Sequence, residues 1–260
     1  MSDVGFDPSR IIIHRKGSGP PLVLLHCLGV DHHLWDIAAA GLERDFTLVS
    51  FDFPGHGESP LPGRHYGIPE LSGLAAVALA REGIDRAHVA GISLGGLVAQ
   101  HFAATQPARV DRLMLLDTTP RYTDEMRAMW VARARQARTQ GVASLLDSLL
   151  PVWFTPGFIA KDPPAVRYVR DCFAVDSGEG YALACEALGS ADLRELVPKI
   201  AAPTLVVCGD EESPAFRDAA AFLAANISGA TSLTLSPARH ASILEQPAAF
   251  VTAAREFLLG

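Results

Sequence analysis

The run Gly91-Ile92-Ser93-Leu94-Gly95-Gly96 constrains the fold of this chain more than any other stretch. Residues 87–90 predict a short buried strand, whereas residues 97–104 carry little polar surface and predict a helix. A G-x-S-x-G motif between a strand and a helix is typical of a sharp turn that lifts the serine hydroxyl above the end of a sheet. Small neighbours are needed there because the serine backbone is strained and the chain nearly touches itself. We therefore interpret Ser93 as a candidate nucleophile rather than as part of a purely structural turn.

Composition excludes several classes of protein. The chain has 260 residues, of which 49% are hydrophobic and 20% charged, enough for one large α/β domain or two small ones. The net charge of −7 and the lack of a basic cluster in the sequence argue against nucleic acid or anionic membranes as partners. The first seven residues do not resemble a signal peptide, and no apolar run in the sequence is long enough to span a bilayer. We expect a cytoplasmic protein with a small-molecule substrate, and a homodimer is compatible with the sequence.

The cysteines and histidines give no sign of a metal or cofactor. Cys27, Cys172, Cys185 and Cys208 are scattered without a C-x-x-C pair, which disfavours zinc and indicates free thiols in a reducing compartment. No carboxylate–histidine group in the sequence has the spacing of a metal site, and no G-x-G-x-x-G follows a strand. We therefore expect neither a metal nor another cofactor.

Strands and helices alternate along most of the chain. Helices are predicted over 71–81, 94–105, 214–225 and 247–258, and strands over 10–14, 22–26, 47–51, 88–90, 112–116, 204–208 and 232–235. This order predicts an α/β fold with a mostly parallel sheet covered by helices on both faces. The glycine-rich turn over 16–21 suits an antiparallel hairpin between the first two strands.

The alternation stops between residues 120 and 197, where no segment predicts a strand. Helices are predicted over 126–139, 142–149, 165–175 and 180–189. An insertion after a parallel strand lies where ligands bind in such sheets. We expect residues 1–119 and 198–260 to form the core domain, with 120–197 as a helical cap over the site rather than a segment that merely adds core.

A serine nucleophile needs a histidine base that a carboxylate orients. In this architecture the histidine follows the last strand, and His240 is the one histidine in the sequence after His101. The acid should follow the strand over 204–208. Glu212 is favoured there, with Asp210 as the alternative and Asp117, after the preceding strand, as a more remote one.

Two backbone N–H groups should stabilise the oxyanion of an acyl-transfer reaction. Leu94 follows the serine directly, and Leu28 lies in the loop after the second strand. Cys27 is interpreted as a small loop-filling residue rather than a second nucleophile. His56, between two glycines of the turn over 52–59, is interpreted as structural, whereas His32 and His33 are candidates to face the pocket.

Together these motifs resemble the α/β-hydrolase superfamily over nearly the whole chain, and within it the chain is similar to the 3-oxoadipate enol-lactonase family. The resemblance is carried by residues 28–31, 34–36, 54–59, 91–98, 117–119, 153–156, 180–182, 191–194 and 241–247.

This resemblance implies a serine hydrolase that opens a small carboxylated enol-lactone in aromatic catabolism without a cofactor. It places Ser93 as nucleophile, His240 as base and Leu94 as an oxyanion donor. Four positions depart from the family pattern: Glu212 stands where aspartate is usual, His26-Cys27 replaces Asn-Ser, and His33 stands where a basic residue is often found.

Ligand pockets are mostly apolar with a few polar anchors. We expect the cap to present Trp130, Trp153, Phe154 and Tyr181 to the substrate. A substrate carboxylate would need a cation, for which the candidates are His33, Arg133 and Arg138 in declining order. A general carboxylesterase, a carbon–carbon bond hydrolase of the same fold and a noncatalytic ligand-binding protein are the alternative interpretations.

Overall fold

The computed structural model describes residue 7 and residues 10–260, so the prediction about a leader segment concerns residues that largely lie outside it. In this part of the chain a seven-stranded sheet has the order β1-β3-β2-β4-β5-β6-β7. Strand β1 runs antiparallel to β3, and the remaining neighbours are parallel. The strands are β1 (Ile13–Gly17), β2 (Pro21–Leu25), β3 (Thr47–Phe51), β4 (Ala87–Ile92), β5 (Val110–Leu116), β6 (Thr204–Gly209) and β7 (Thr231–Leu235). The predicted α/β-hydrolase architecture is confirmed.

Helices cover both faces of the sheet, and none of those described is both long and apolar enough to cross a membrane. They are α1 (Leu34–Ala38), α2 (Ile68–Arg81), α3 (Leu94–Thr105), α4 (Asp124–Gln140), α5 (Leu146–Trp153), α6 (Pro156–Ala160), α7 (Pro164–Val175), α8 (Gly178–Ser190), α9 (Pro214–Asn226), α10 (Ser242–Glu245) and α11 (Pro247–Leu259). Every residue of β4 and β6 is buried, which is why the sequences of these strands are largely apolar.

The predicted hairpin between the first two strands is wrong. β1 begins at Ile13, three residues later than expected, and pairs with β3 instead of β2. The connecting turn crosses the start of β3, where Thr47 donates its backbone N–H to Pro20 O at 3.0 Å. A Cβ at Gly19 would lie 2.2 Å from Asp45 O, so the crossing requires glycine. Local turn composition could not distinguish this crossing from a hairpin.

Helices α4 to α8 fill the segment between β5 and β6. The segment leaves and re-enters the core at adjacent points, because Leu193 N donates to Pro120 O at 2.8 Å and Arg121 forms an isolated bridge with Asp192. Thr123 caps α4 by accepting a hydrogen bond from Met126 N at 3.3 Å. The short helix α6 was missed by the sequence analysis.

Candidate active site

Ser93 lies between β4 and α3 with φ 52° and ψ −111°, a conformation that L-residues rarely adopt. The surrounding glycines make this turn feasible. A Cβ at Gly91 would lie 2.1 Å from Gly95 O, and a Cβ at Gly95 would lie 2.2 Å from Leu25 O. Each obstacle is backbone, which cannot move aside as a flexible side chain could. The spacing of glycines in the motif therefore follows directly from this close approach.

His240 lies in the loop after β7 and contacts both Ser93 and Glu212. Its Nε2 is 3.0 Å from Ser93 Oγ, and its Nδ1 is 2.5 Å from Glu212 Oε2. The other carboxylate oxygen of Glu212 accepts the backbone N–H of Ser213 at 2.6 Å. All three side chains are largely buried, so the row of hydrogen bonds is shielded from bulk water.

Burial and mutual attraction act in opposite directions on this pair. Burial alone would raise the pKa of Glu212, but the charge and hydrogen bond of His240 outweigh it and the pKa is lowered. Burial alone would lower the pKa of His240, but Glu212 outweighs it and the pKa is raised. The pair therefore favours a carboxylate beside an imidazole that readily takes up a proton.

The other two candidate acids have different partners. Asp210 accepts hydrogen bonds from Ser236 Oγ at 2.5 Å and Ala238 N at 2.9 Å. Asp117 accepts from Gly209 N at 3.0 Å and from Ser242 Oγ at 2.5 Å. Each carboxylate thus braces a loop of the site, whereas Glu212 contacts the imidazole itself.

Leu94 is the first residue of α3, where helix N–H groups have no intrahelical acceptor. Leu28, the second predicted donor, lies in the loop after β2 and contributes to the cavity above Ser93. The placement of both residues is compatible with the predicted oxyanion site, which stays a prediction.

The loop that carries Leu28 is held by His26. Its Nδ1 lies 2.7 Å from Cys27 O, and its Nε2 accepts the backbone N–H of Phe53 at 2.9 Å. Burial lowers the pKa of His26 to about 4, so the ring is neutral and can serve as donor and acceptor at once. Burial also raises the pKa of Cys27, which disfavours the thiolate that a nucleophile would need.

A cavity of about 640 Å³ opens above Ser93. Three of the four predicted aromatic residues, Trp130, Trp153 and Tyr181, contribute to its wall. Phe154 does not line it, contrary to the prediction, because its buried ring packs on Phe158 with centroids 5.4 Å apart. The remaining wall residues are Leu28, Thr123, Glu125, Met126, Met129, Arg133, Leu149, Val152, Glu212, Ser213, Ala215, Phe216 and His240.

Of the predicted cations, Arg133 reaches the cavity. Its guanidinium lies 4.6 Å from the Trp130 ring centroid and pairs with no carboxylate in the described part of the chain. Arg138 instead binds Glu179 and Glu186. The prediction for His33 is wrong, because its exposed ring lies outside the cavity wall and contacts Asp31 Oδ1 at 3.1 Å.

Phe216 was missed by the sequence analysis. It belongs to the first turn of α9, directly after residues 210–213, which carry Glu212 and are called the acid loop below. Its ring meets the His240 ring edge-on with centroids 4.8 Å apart. The Trp153 ring approaches His240 at 6.4 Å, and Trp153 O accepts the backbone N–H of Ala241 at 2.9 Å. Position directly after the acid loop was the one available signal for Phe216.

The fold brings His14, His32 and Asp52 within reach of one ion, a grouping that sequence spacing did not reveal; a second group joins Asp31, His32 and His33. The His14 and His32 rings are stacked 3.5 Å apart and nearly parallel, at 9°. Their in-plane lone pairs therefore do not converge on one ion. His32 Nδ1 already contacts Asp52 at 2.9 Å, so this group connects two loops of the core.

The predicted structural role of the turn over 52–59 agrees with its contacts. Asp52 accepts the backbone N–H of His32 at 2.7 Å and that of Glu58 at 2.9 Å, which ties the turn to the loop after β2. His56 is buried and lies outside the cavity wall.

Comparison with known proteins agrees with this architecture. A family model for the alpha/beta hydrolase fold matches residues 20–151. The chain is 33% identical over 231 residues to 3-oxoadipate enol-lactonase 2 of Acinetobacter baylyi, covering 89% of this chain and 85% of that protein. It is 30% identical over 259 residues to a pimeloyl-(acyl-carrier protein) methyl ester esterase of Aeromonas salmonicida, covering 95% and 99%. The crystal structure of an enol-lactonase from Burkholderia xenovorans superposes with a TM-score of 0.91 at 34% identity, covering 96% of each chain.

The chain therefore belongs to the alpha/beta hydrolase family and is an enzyme of the hydrolase class. The resemblance to 3-oxoadipate enol-lactonases predicted from the motifs is confirmed by these relatives.

Proposed function

We propose that this chain hydrolyses a carboxylic ester or lactone through an acyl-enzyme intermediate on Ser93. The observation that carries the proposal is the hydrogen-bonded row at the floor of the cavity. Ser93 Oγ lies 3.0 Å from His240 Nε2, and His240 Nδ1 lies 2.5 Å from Glu212 Oε2. This is the arrangement in which a neutral hydroxyl becomes a nucleophile.

In the first half of the reaction Ser93 Oγ attacks the ester carbonyl carbon while His240 Nε2 takes the hydroxyl proton. The backbone N–H groups of Leu94 and Leu28 would stabilise the negative oxygen of the tetrahedral intermediate. Glu212 keeps the proton on Nδ1, so that Nε2 is free to accept, and stabilises the imidazolium that forms. His240 then returns the proton to the departing alcohol or enolate oxygen as the carbon–oxygen bond breaks.

In the second half a water molecule attacks the acyl carbon as His240 Nε2 takes one of its protons. Collapse of the second intermediate breaks the bond to Ser93 Oγ, which recovers its proton from His240. The product is a carboxylic acid, together with the alcohol or enol released earlier. In a lactone both groups remain on one molecule.

The wall of the cavity supports a substrate that carries a carboxylate. Aromatic and aliphatic side chains dominate it, and the Arg133 guanidinium is a cation without a carboxylate partner in the described part of the chain. An anion that enters would gain a charge-assisted hydrogen bond there. We therefore propose a carboxylated lactone, the chemistry that the name of the Acinetobacter relatives also indicates.

A carboxylesterase acting on a longer acyl chain is the second candidate. The cavity of about 640 Å³ has room for a chain that extends past Met129 and Val152, which are partly exposed. The Aeromonas relative is named as an esterase of a methyl ester.

A panel of lactones and p-nitrophenyl esters, each with and without a carboxylate, tests both candidates. We expect Arg133→Gln to raise KM for carboxylated substrates by about 10- to 100-fold, the equivalent of a charged hydrogen bond, and to leave KM for neutral esters within about twofold. Arg135→Gln is the matched control, because Arg135 is exposed on the same helix and lies outside the cavity wall. Equal changes for both substrate types in Arg133→Gln would exclude the carboxylate and favour a neutral ester.

A further inference from the structure

Asp117 occupies an unusual position directly after β5. Its φ is +42°, in the left-handed region that non-glycine residues rarely adopt, and its side chain is buried. The backbone N–H of Asp117 is held by Val207 O at 2.9 Å. Such strain persists only where the surroundings enforce it and is common at functional sites.

The two carboxylate oxygens of Asp117 hold the two loops that carry Glu212 and His240. Oδ1 accepts the backbone N–H of Gly209, three positions before Glu212, at 3.0 Å. Oδ2 accepts the hydroxyl of Ser242, two positions after His240, at 2.5 Å and its backbone N–H at 3.2 Å. One side chain therefore sets the spacing between the acid loop and the histidine loop.

The next residue connects the same point to the nucleophile. Thr118 Oγ1 donates to Ser93 O at 2.8 Å, and Ser93 N donates to Leu116 O at 2.9 Å. The end of β5 thus contacts all three elements that carry the proposed catalytic side chains. We propose that Asp117 is a positioning residue that fixes the loops of Glu212 and His240 relative to each other above Ser93, and that its negative charge acts electrostatically on His240. This inference rests on the proposed function.

Because Asp117 can carry a charge, it should affect the pH dependence of activity, which a residue with a purely structural role would not do. The titratable groups that act on it are Glu212, His240 and the thiols of Cys27 and Cys208, and burial raises the pKa of both thiols, which keeps them neutral. Burial and then the Glu212 charge raise the pKa of Asp117 to about 7. Once ionised, Asp117 raises the pKa of His240, as Glu212 does more strongly, whereas the Arg133 guanidinium lowers it. The two ionisations are coupled, so the rising limb of activity against pH should spread over more than one titration.

Asparagine cannot replace this carboxylate. An amide has one acceptor oxygen, so if the oxygen meets Gly209 N–H, its NH₂ group faces the backbone N–H of Ser242. We expect Asp117→Asn to react with a fluorophosphonate at Ser93 about a hundredfold more slowly, the cost of a displacement near 1 Å. The labelling rate of this variant, plotted against pH, should follow a single ionisation with a midpoint at lower pH than in wild type. The reason is that the variant lacks the Asp117 charge, which raises the pKa of His240. KM for a turnover substrate should stay within about twofold.

Two further variants keep the test decisive. Ser242→Ala removes one donor and keeps an ionisable carboxylate at position 117, so it should slow labelling less than Asp117→Asn does. Its pH profile should keep both ionisations, with that of Asp117 at higher pH, because the Ser242 hydrogen bond lowers the pKa of Asp117. Asp210→Asn is the matched control, because Asp210 braces the same histidine loop from its exposed side. Melting temperatures show which variants are folded at the assay temperature. If Asp117→Asn is unfolded there, the labelling rate of Ser242→Ala tests the positioning role, and a rate equal to that of wild type would overturn it.

The failure of this inference differs from failure of the proposed function. If wild-type protein is not labelled at Ser93, the proposed function is wrong. If wild type is labelled and folded Asp117→Asn reacts at the same rate with a superimposable pH profile, the role of Asp117 is overturned. A slower rate with an unchanged pH profile would leave Asp117 as a structural brace only and overturn the electrostatic part.

Discussion

Replacing Glu212 by glutamine tests the proposed acid with almost no change in shape. Both carboxylate oxygens are in use, one accepting from His240 Nδ1 at 2.5 Å and the other from Ser213 N at 2.6 Å. Glutamine offers one acceptor and one NH₂ group, so it can satisfy one of these donors at a time.

Each orientation of the amide has a distinct cost. If its NH₂ group faces His240, Nδ1 must become the acceptor, and the ring proton moves to Nε2, where it blocks uptake of the Ser93 proton. A wrong tautomer of this kind lowers kcat about 10⁴-fold, or about 5 kcal/mol at roughly 1.4 kcal/mol for each tenfold change. If instead the NH₂ group faces Ser213 N–H, a buried donor is left unpaired at a cost to stability of about 1–3 kcal/mol.

We therefore expect Glu212→Gln to lower kcat by about three to four orders of magnitude, similar to the loss that the wrong imidazole tautomer causes. Ester hydrolysis under saturating substrate measures kcat, the rate of fluorophosphonate labelling at Ser93 reports the nucleophile, and thermal melting reports the fold. Asp210→Asn is the matched control and should have a modest effect, because Asp210 binds Ser236 and Ala238 rather than the imidazole. Retention of more than about a tenth of wild-type kcat would refute the assignment of Glu212. A large loss in Asp210→Asn instead would transfer the role to that residue.

The remaining predictions concern the proposed nucleophile, the proposed base and the turn between β4 and α3. Ser93→Ala should lower kcat about a million-fold with an unchanged melting temperature, and mass spectrometry should find no fluorophosphonate adduct; residual activity above a tenth would exclude Ser93. The kcat/KM of wild type should rise with pH as His240 loses its proton, with a midpoint above the usual histidine value near 6.5, because Glu212 raises the pKa of His240; a midpoint below about 6.5 would contradict this. Gly95→Ala should cost about 3 kcal/mol or more of stability, since the new Cβ meets backbone at 2.2 Å. Gly73→Ala, in the middle of α2 with open space around it, should instead stabilise by about 0.5–1 kcal/mol, and denaturant melts compare the two.

Sequence reasoning was strong wherever a property depends on nearby residues. Gly91 marks the turn at Ser93 because the atom that any Cβ there would meet, Gly95 O, lies four positions further along the chain. Chain order also sufficed for His240, since the histidine after the last strand comes to the same sheet edge as the turn after β4. The apolar runs of β4 and β6 predicted a sheet covered on both faces for the same local reason.

Properties set by distant parts of the chain were not accessible in this way. Glu212 and Asp210 are two residues apart, and the choice between them depends on which side chain the β7 loop approaches. His33 and Phe154 looked suited to the pocket by type, but their neighbours turn one toward Asp31 and bury the other against Phe158.

The sequence by itself determined the layered α/β architecture and the sharp turn at Ser93, because both follow from residue periodicity and from close contacts within a few positions. Tertiary structure alone decided the partner of β1, the carboxylate beside His240 and the place of Arg133 in the cavity wall without a carboxylate partner among the described residues. These depend on distances between segments far apart along the chain, such as the 2.5 Å between His240 Nδ1 and Glu212 Oε2, which no local pattern encodes.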